Sequence, residues 1–405
     1  MKNAAVESHR RGNLAALLTG AYPTEKLKSF LNGVGLGQNL KINRLLSREE
    51  PDLAGKANPV FLPEVLAQIG IYLRRFETLP LKSFNDWLIR FAFIRYSNWA
   101  ARLIAGKYSS AKIYHYRAGY GGKSVKIAKQ LGMVALCDHS IIHPDLLDYF
   151  VDNQGHWPEP GHSGSIDLLW RYIKSDIEQA DHVVVNSDFV KKSFLHMGWD
   201  QNIVHTVYLG IDDSFVRGLP AKESVEKKIS EITTFVFAGY FGARKGADVL
   251  VSAFRQLYDL PWQLELYGPV EPSFKSKYSE FFADERVHYG GNLSRDELAE
   301  KLTEVGLFIF PTFAEGSARV LFEALACGCY VITTPNCGSI AEDQIHGAVV
   351  PAGDVEATSA AIREAIQNPE KVKEIGKKNK ELVASAYLQS SYGDNLAELY
   401  EKIGK

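Results

Sequence analysis

The strongest constraint on the fold is the regular alternation of apolar runs and amphipathic segments through the second half of the chain. TTFVFAGYF, WQLELYG, GLFIFP and YVITTP are rich in Val, Ile, Leu and Phe, and segments with helical spacing such as GADVLVSAFRQLY and SRDELAEKLTEV lie between them. This alternation is typical of a parallel sheet covered by helices on both faces. It predicts a doubly wound α/β domain, in which ligands bind beyond the carboxyl ends of the strands.

The first half shows the same alternation less regularly. LAALLTGAY, AKIYHYR, GMVALCDHS and DHVVVNSD are predicted strands, and a helical stretch over residues 60–105 interrupts them. A chain of 405 residues is too long for one ordinary core. We therefore predict a first domain over residues 1–210, a second over 211–385 and a final amphipathic segment over 386–405.

Composition and charge exclude several classes of protein. The net charge of −2 does not favour nucleic acid as a partner, although residues 1–110 carry 16 Lys and Arg against 8 Asp and Glu. The polar, basic start MKNAAVESHRRGN is not a secretory signal, and no apolar run is long enough to cross a membrane. We expect a cytoplasmic protein.

Neither the cysteines nor the histidines form the complete pattern of a metal site. The cysteines are Cys137, Cys327, Cys329 and Cys337, and the neighbouring histidines of the first half are His139, His143, His156 and His162. A Cys-x-Cys pair is not a usual zinc motif, and the histidines are not backed by the further ligands that a typical zinc site has. We therefore expect no metal.

Two glutamates, Glu315 and Glu323, stand eight residues apart in TFAEGSARVLFEALACG. Glu323 lies in an apolar helical run, where an unpaired carboxylate is costly, so something must hydrogen-bond it. Gly316 and Ser317 are predicted to open the helix, and exposed amides at a helix start bind anions. Two acceptors beside such an anion site suit a nucleotide sugar, which has hydroxyls at both ends and a diphosphate between them. The amides concerned belong to Gly316, Ser317, Ala318, Arg319 and Val320.

Two cations, Arg244 and Lys245, follow the first strand of the second domain in GARKG. Cations at a strand end can stabilise a departing diphosphate without a metal, although the same residues also suit a solvated turn. A second glycine-rich segment, GYGGKS at residues 119–124, ends like a phosphate-binding loop. Arg117 stands where that motif requires its first glycine, so we expect a glycine-rich turn instead.

Taken together, these landmarks resemble the retaining GT-B glycosyltransferases of family 4, over roughly residues 110–405. The matching segments, in order, are VVVNSDFVKKSF, LGID, FAGYFGARKGADVLVSAF, LELYG, VHYGGNLSRDEL, EGSARVLFEALACG, CGSIAED and GAVVPAGD. The resemblance implies two Rossmann-like domains that face a cleft. The second domain would hold a UDP- or GDP-sugar without a metal cofactor, and the segment 386–405 would return to the acceptor-side first domain.

The resemblance also implies roles for individual residues. Glu315 would contact the transferred sugar, Glu323 the ribose hydroxyls, and His139, at the end of a first-domain strand, the donor sugar. Gly239 and Gly268 would belong to the donor site. One departure is Tyr240, which stands where the family has an arginine; Arg244 is then the candidate replacement in the cation pair with Lys245.

The acceptor class stays open between a glycan, a lipid-linked glycan and a small molecule. Residues 66–104 mix large apolar side chains with arginines, which suits either peripheral contact with an anionic membrane or helices packed on the first domain. The arginines are Arg74, Arg75, Arg90, Arg95 and Arg102. Two other functions stay open: a nucleotide-sugar epimerase of the same fold, and a non-catalytic glycan- or partner-binding protein.

Overall fold

The computed structural model describes most of the chain, with gaps of different lengths. The described residues are 2–24, 49–53, 55–73, 79–159, 161–162, 164, 167–219 and 232–405. Arg74 and Arg75, which contribute to the predicted basic surface, lie outside them.

The strands and helices follow one another largely as the sequence predicts. The strands are β1 (Leu17–Thr19), β2 (Ala57–Pro59), β3 (Ile113–Arg117), β4 (Val134–His139), β5 (His182–Val185), β6 (Val204–Thr206), β7 (Thr233–Ala238), β8 (Trp262–Tyr267), β9 (Val287–Gly291), β10 (Leu307–Phe310), β11 (Tyr330–Thr333) and β12 (Gly347–Val349). In the first half the helices are α1 (Lys2–Arg10), α2 (Phe61–Leu73), α3 (Leu79–Lys107), α4 (Gly122–Gln130), α5 (Leu147–Asp152), α6 (Leu168–Ile177) and α7 (Asp188–His196). In the second half they are α8 (Asp213–Gly218), α9 (Ala247–Arg255), α10 (Pro272–Lys277), α11 (Ser279–Phe282), α12 (Arg295–Val305), α13 (Arg319–Ala326), α14 (Val355–Gln367), α15 (Pro369–Ala386) and α16 (Gln389–Ile403).

The described strands of the second half form one parallel sheet in the order β12-β11-β10-β7-β8-β9. All four residues of β10 and of β11 are buried, because helices cover both faces. Phe235, Phe237, Phe308 and Phe310 supply large side chains to this core. The prediction of a doubly wound parallel sheet is confirmed.

A second sheet has the order β3-β4-β5-β6, with β3 and β4 parallel. The helical stretch predicted over residues 60–105 consists of α2 and α3, which pack together where Gly70 meets Ile89. The predicted strand LAALLTGAY is shorter than expected, because only Leu17–Thr19 pairs, in parallel, with Ala57–Pro59.

The chain divides into two compact units. The first comprises residues 1–139, 165–184 and 393–405, and the second comprises residues 140–164 and 185–392. Within the first unit, the end of the chain is tied down by Asp394, which accepts from Arg11 at 2.6 Å, and by Tyr400, whose hydroxyl lies 2.7 Å from His115 Nδ1.

Candidate functional site

The site of the second unit lies at the edge of its sheet where adjacent parallel strands end. Gly239 follows β7, Gly268 follows β8, and Glu315 lies five residues beyond β10. Gly268 has a φ of +115°, and a Cβ there would overlap the carbonyl of Gly239. The backbones of two strand ends therefore approach so closely that only glycine fits.

Glu315 is the centre of a charged cluster at this edge. One carboxylate oxygen, Oε1, accepts from Lys245 Nζ at 2.5 Å, from Arg244 Nη1 at 2.7 Å and from Thr312 Oγ1 at 3.1 Å. Glu315 is buried, and no donor among the described residues contacts its Oε2. The structure thus brings together the three charged groups that the sequence predicts, and leaves one acceptor oxygen for a ligand.

The two cations of the cluster differ in environment. Lys245 is largely buried, with its Nζ 4.8 Å from the ring centre of Phe310. Burial lowers the pKa of Lys245, while the charge of Glu315 opposes that effect. Arg244 is more exposed and also donates to the Ala314 carbonyl at 2.8 Å. Arg244, the candidate replacement for the family's arginine, therefore contacts the carboxylate of Glu315. Tyr240, which stands at the position of that arginine, is 47% exposed.

Thr312 was not predicted as a site residue. Its hydroxyl contacts both the Arg244 carbonyl, at 3.0 Å, and the carboxylate of Glu315. It therefore links the loop after β10 to the loop after β7. The available signal was a hydroxyl residue three positions before the glutamate, which is too common a pattern to single out.

The segment between the two glutamates differs from its prediction. Helix α13 begins at Arg319, not at Gly316, and its N-cap Ala318 offers no side-chain cap. The cause is that Gly316 and Ala318 are held by other segments: the Gly316 carbonyl accepts from Ser187 Oγ at 2.5 Å, and the Ala318 N–H donates to the Cys337 carbonyl at 3.1 Å. A Cβ at Gly316 would overlap the Ser140 carbonyl, so a glycine is required there as well.

This arrangement changes which amides remain for an anion. The amide of Ala318 donates to the Cys337 carbonyl, so of the predicted amides this one is already engaged within the protein. The first amides of a helix have no partner within it. Of the predicted residues there, Ser317 is partly buried, Arg319 is exposed and Val320 is partly buried.

Glu323 is buried on α13, and its partner is Arg295, which sequence reasoning missed. Arg295 Nε donates to Glu323 Oε1 at 2.7 Å, while Arg319 Nε stays 3.9 Å from the same atom. The expectation that this carboxylate needs a partner is confirmed; the suggested i,i+4 partner Arg319 lies beyond hydrogen-bond distance. No donor among the described residues contacts Glu323 Oε2.

His139 belongs to the first unit, where it is buried as the last residue of β4. The preceding residue, Asp138, places its Oδ2 4.0 Å from Nε2 of His115. Burial lowers the pKa of His115 to about 4. The position of His139 at a strand end is as predicted; its proposed contact with a donor sugar stays a prediction.

The glycine-rich segment GYGGKS is closed by a carboxylate. Asp176 accepts from the amides of Gly119 at 2.7 Å, Gly121 at 2.9 Å and Gly122 at 2.5 Å. These amides are the groups with which a phosphate-binding loop would hold its ligand. The expectation of a glycine-rich turn instead of a phosphate loop agrees with these contacts.

Metal-binding groups are not clustered in the part of the chain that the structure describes. No three His, Cys, Asp or Glu side chains among the described residues could hold an ion together. Cys137, Cys327, Cys329 and Cys337 are buried free thiols. Within the same residues, no helix is long and apolar enough to cross a membrane.

Comparisons with known proteins bear on this site. Residues 221–382 match the family described as Glycosyl transferases group 1. An uncharacterized glycosyltransferase of Methanocaldococcus jannaschii is 27% identical over 151 residues, which are 36% of this chain and 42% of that protein. The MMP alpha-(1->4)-mannosyltransferase of Mycolicibacterium hassiacum is 22% identical over 75% of this chain and 73% of its own length.

Similar solved structures cover nearly the whole chain. Anabaena HepE in complex with UDP superimposes with a TM-score of 0.61 at 13% identity, over 99% of this chain and 96% of that one. At this identity the likeness shows the fold alone. The chain therefore has the GT-B fold with two Rossmann-like domains, and its residues 221–382 match the glycosyl transferases group 1 family.

Proposed function

We propose that this protein is a retaining glycosyltransferase of family 4, which moves a hexosyl group from a nucleoside diphosphate sugar to an acceptor hydroxyl. The observation that carries the proposal is the contact of Lys245 and Arg244 with Glu315, at the strand ends of a glycosyl transferases group 1 domain. The donor is a UDP- or GDP-sugar and no metal cofactor is required. HepE, which shares the fold, has been solved with UDP and with UDP-glucose.

The proposal assigns a task to each group. Lys245 and Arg244 neutralise the leaving diphosphate, which preorganised cations can do in a site of low dielectric constant. Glu315 accepts hydrogen bonds from the transferred sugar, and Glu323 does the same for the ribose. The amides at the start of α13 contact phosphate or sugar, and Gly239 and Gly268 let the donor approach the backbone. His139, assigned by resemblance, donates a hydrogen bond to the sugar.

The proposed domain roles follow the same resemblance. Residues 211–385 bind the donor, and residues 1–210 with segment 386–405 provide the acceptor side. The acceptor is a glycan, a lipid-linked glycan or a small molecule. The proposed location is the cytoplasm, and the proposed process is the synthesis of cell-envelope polysaccharide.

In the proposed reaction the bond between the anomeric carbon and the phosphate oxygen breaks. The acceptor oxygen bonds to that carbon from the same face, and the leaving phosphate takes the acceptor proton. The anomeric configuration is thus retained. An NMR spectrum of the first-formed product decides this point, since an inverted product would contradict the retaining mechanism.

The central experiment is a thermal-shift screen of the full chain against UDP- and GDP-sugars, followed by calorimetry. We expect one nucleotide series to bind, and Glu323→Ala to weaken that binding about tenfold or more, because a charged acceptor for ribose hydroxyls is lost. Product analysis separates the alternatives: a changed nucleotide sugar without an acceptor indicates an epimerase. Failure to bind any nucleotide indicates a non-catalytic glycan- or partner-binding protein.

Peripheral contact with an anionic membrane is a second proposal, favoured by the outer surface of α2 and α3. Large apolar side chains recur there at helical spacing and are exposed: Leu62, Val65, Ile69, Tyr72, Phe84, Trp87, Phe91 and Ile94. Exposed arginines continue the row on α3, with the guanidinium of Arg95 6.0 Å from the ring of Phe91 and Arg102 two turns further. An apolar row with adjoining cations is the composition of helices that lie on anionic lipid.

Vesicle co-sedimentation tests this surface. We expect the full chain to bind phosphatidylcholine vesicles that contain phosphatidylglycerol, and Trp87→Glu to reduce binding about tenfold, since it places a charge among the apolar side chains. The control is Tyr258→Glu, because Tyr258 is an 82% exposed aromatic residue of the second unit. No vesicle binding would refute the proposal, and an oligomer that Trp87→Glu dissociates would assign the surface to a second copy.

A further inference from the structure

Arg295 occupies a position that its own helix does not favour. It is the first residue of α12, whose start is fixed by a capping box between Ser294 and Glu297. The N-terminus of a helix carries partial positive charge, so a cation in the first turn is electrostatically unfavourable. The position is therefore not explained by the stability of α12.

The contacts of Arg295 connect it to the candidate site. Its Nε donates to Glu323 Oε1 at 2.7 Å, and its guanidinium lies 4.1 Å from the ring centre of Phe215. Its Nη2 atom is buried and has no hydrogen-bond partner among the described residues. Buried donors are rarely left unsatisfied, so this atom calls for an explanation.

The shape of the guanidinium group shows where the unused donor points. Nε and Nη2 lie on one edge of the planar group and donate in parallel directions. Since Nε donates to Glu323 Oε1, Nη2 presents its hydrogen alongside the same carboxylate. The Oε2 atom of that carboxylate has no protein donor among the described residues. One unpartnered donor and one unpartnered acceptor therefore belong to the same Arg295–Glu323 pair.

A hydroxyl group satisfies both atoms at once, because its oxygen accepts one hydrogen bond while its hydrogen makes another. We infer that Arg295 and Glu323 together bind the ribose diol of the donor nucleotide, with Arg295 Nη2 donating to a ribose hydroxyl and Glu323 Oε2 accepting from the diol. Arg295 then determines specificity for ribonucleotides. This inference rests on the proposed function, and adds to it the residue that recognises the hydroxyls.

The test compares ribose with deoxyribose. Calorimetry of the full chain measures the affinities for UDP and GDP and for their 2′-deoxy and 3′-deoxy forms, in the wild type and in Arg295→Lys. The wild type should bind the ribonucleotide about tenfold or more tightly than at least one deoxy form. A lysine lacks the planar guanidinium group with its two parallel donors. In Arg295→Lys the ratio of the affinity for the ribonucleotide to that for the deoxy form should therefore fall toward one, while the affinity for the deoxy form itself changes little.

Arg286→Lys is the matched control. Arg286 also stacks on an aromatic ring, at 4.1 Å from Trp262, and pairs with a carboxylate, Asp284, at 2.7 Å. Its variant should keep the full preference for ribose. A purely structural Arg295 would instead weaken the binding of both nucleotide forms equally in Arg295→Lys.

The remaining outcomes separate the inference from the proposed function. If the wild type binds nucleotides through Glu323 but does not distinguish ribose from deoxyribose, the inference is wrong and the proposed function stands; this measurement needs no variant. An unchanged preference in Arg295→Lys refutes the inference equally. If the wild type binds none of the nucleotides, the proposed function fails and the inference fails with it.

Discussion

Replacing Glu315 with glutamine tests the charged cluster in the protein without a ligand. The side chains of Lys245 and Glu315 are 13% and 11% exposed, and their charged atoms lie 2.5 Å apart. Exposed ion pairs contribute about 0.2–1 kcal/mol, whereas removing one partner of a buried pair costs about 3–5 kcal/mol. Glutamine keeps an acceptor oxygen, and the 40% exposed Arg244 can turn to water. We therefore expect a loss of roughly 2–3 kcal/mol in the free energy of unfolding.

The same substitution predicts a dependence on pH. Burial lowers the pKa of Lys245 below 10.5, and Glu315 opposes this, so Glu315→Gln lowers that pKa further. A lysine with a depressed pKa in the folded state binds fewer protons there than in the unfolded state. Stability then rises with pH between the folded pKa and 10.5. The difference in free energy of unfolding between the wild type and Glu315→Gln should therefore shrink as the pH rises toward 10.5.

Denaturant unfolding of both proteins at several pH values measures this, with Glu374→Gln as the control. Glu374 pairs with Lys378 at 2.7 Å, but the two side chains are 69% and 65% exposed. Its loss should change the free energy of unfolding little at any pH, because water screens an exposed ion pair. Equal effects of the two substitutions, or a deficit of Glu315→Gln that grows with pH, would refute the assignment of a buried ion pair.

Three further substitutions, the first with Gly198→Ala as its control, probe the packing of the two units. Gly268→Ala should cost about 2–5 kcal/mol in chemical denaturation, because its φ is +115° and its Cβ meets the Gly239 carbonyl; Gly198→Ala, at a φ of +83° with no atom within 4 Å, should cost about 1 kcal/mol. Burial holds the pKa of His115 at about 4, so folding favours its neutral form and the free energy of unfolding of the wild type should fall by about 3 kcal/mol between pH 6.5 and pH 4. His115→Gln should not show this fall, and identical pH profiles of the two proteins would contradict the prediction. Asp176→Asn should destabilise the protein by roughly 1–3 kcal/mol, because one amide oxygen replaces two carboxylate oxygens that accept from three backbone amides, and unchanged thermal unfolding would contradict it.

Sequence patterns predicted the central strands β10 and β11 well because these strands are buried on both faces. A run such as LFIF at Leu307–Phe310 has no polar side to confuse its assignment, and its neighbours in the sheet follow from the alternation with helices. The capping box of Ser294 and Glu297 was predictable for a similar reason, since it depends only on local spacing. The assignment of Gly239 and Gly268 to the donor site came from the family resemblance, not from local spacing.

The contacts between segments distant in sequence were not predictable. Arg295 reaches Glu323 across 28 residues, and Thr312 reaches the Arg244 carbonyl across 68. The start of α13 moved to Arg319 because Ser187 and Cys337 hold the preceding residues. Each of these results depends on groups that lie far apart in sequence and come together only in the folded protein.

The carboxylates of Glu315 and Glu323 are held in the same way, with one oxygen bound to cations of the protein. In Glu315 and Glu323 the protein's donors use Oε1 and, among the described residues, none contacts Oε2. Cations thus orient each carboxylate while one acceptor oxygen stays available. A diphosphate that binds Lys245 and Arg244 must compete with Glu315 for them, and it weakens their hold on the carboxylate that is proposed to receive the sugar. Binding of the phosphates to the two cations would then release the Glu315 carboxylate to accept from the sugar. In Glu315→Gln no carboxylate competes for the cations, so a free nucleoside diphosphate should bind this variant at least as tightly as the wild type.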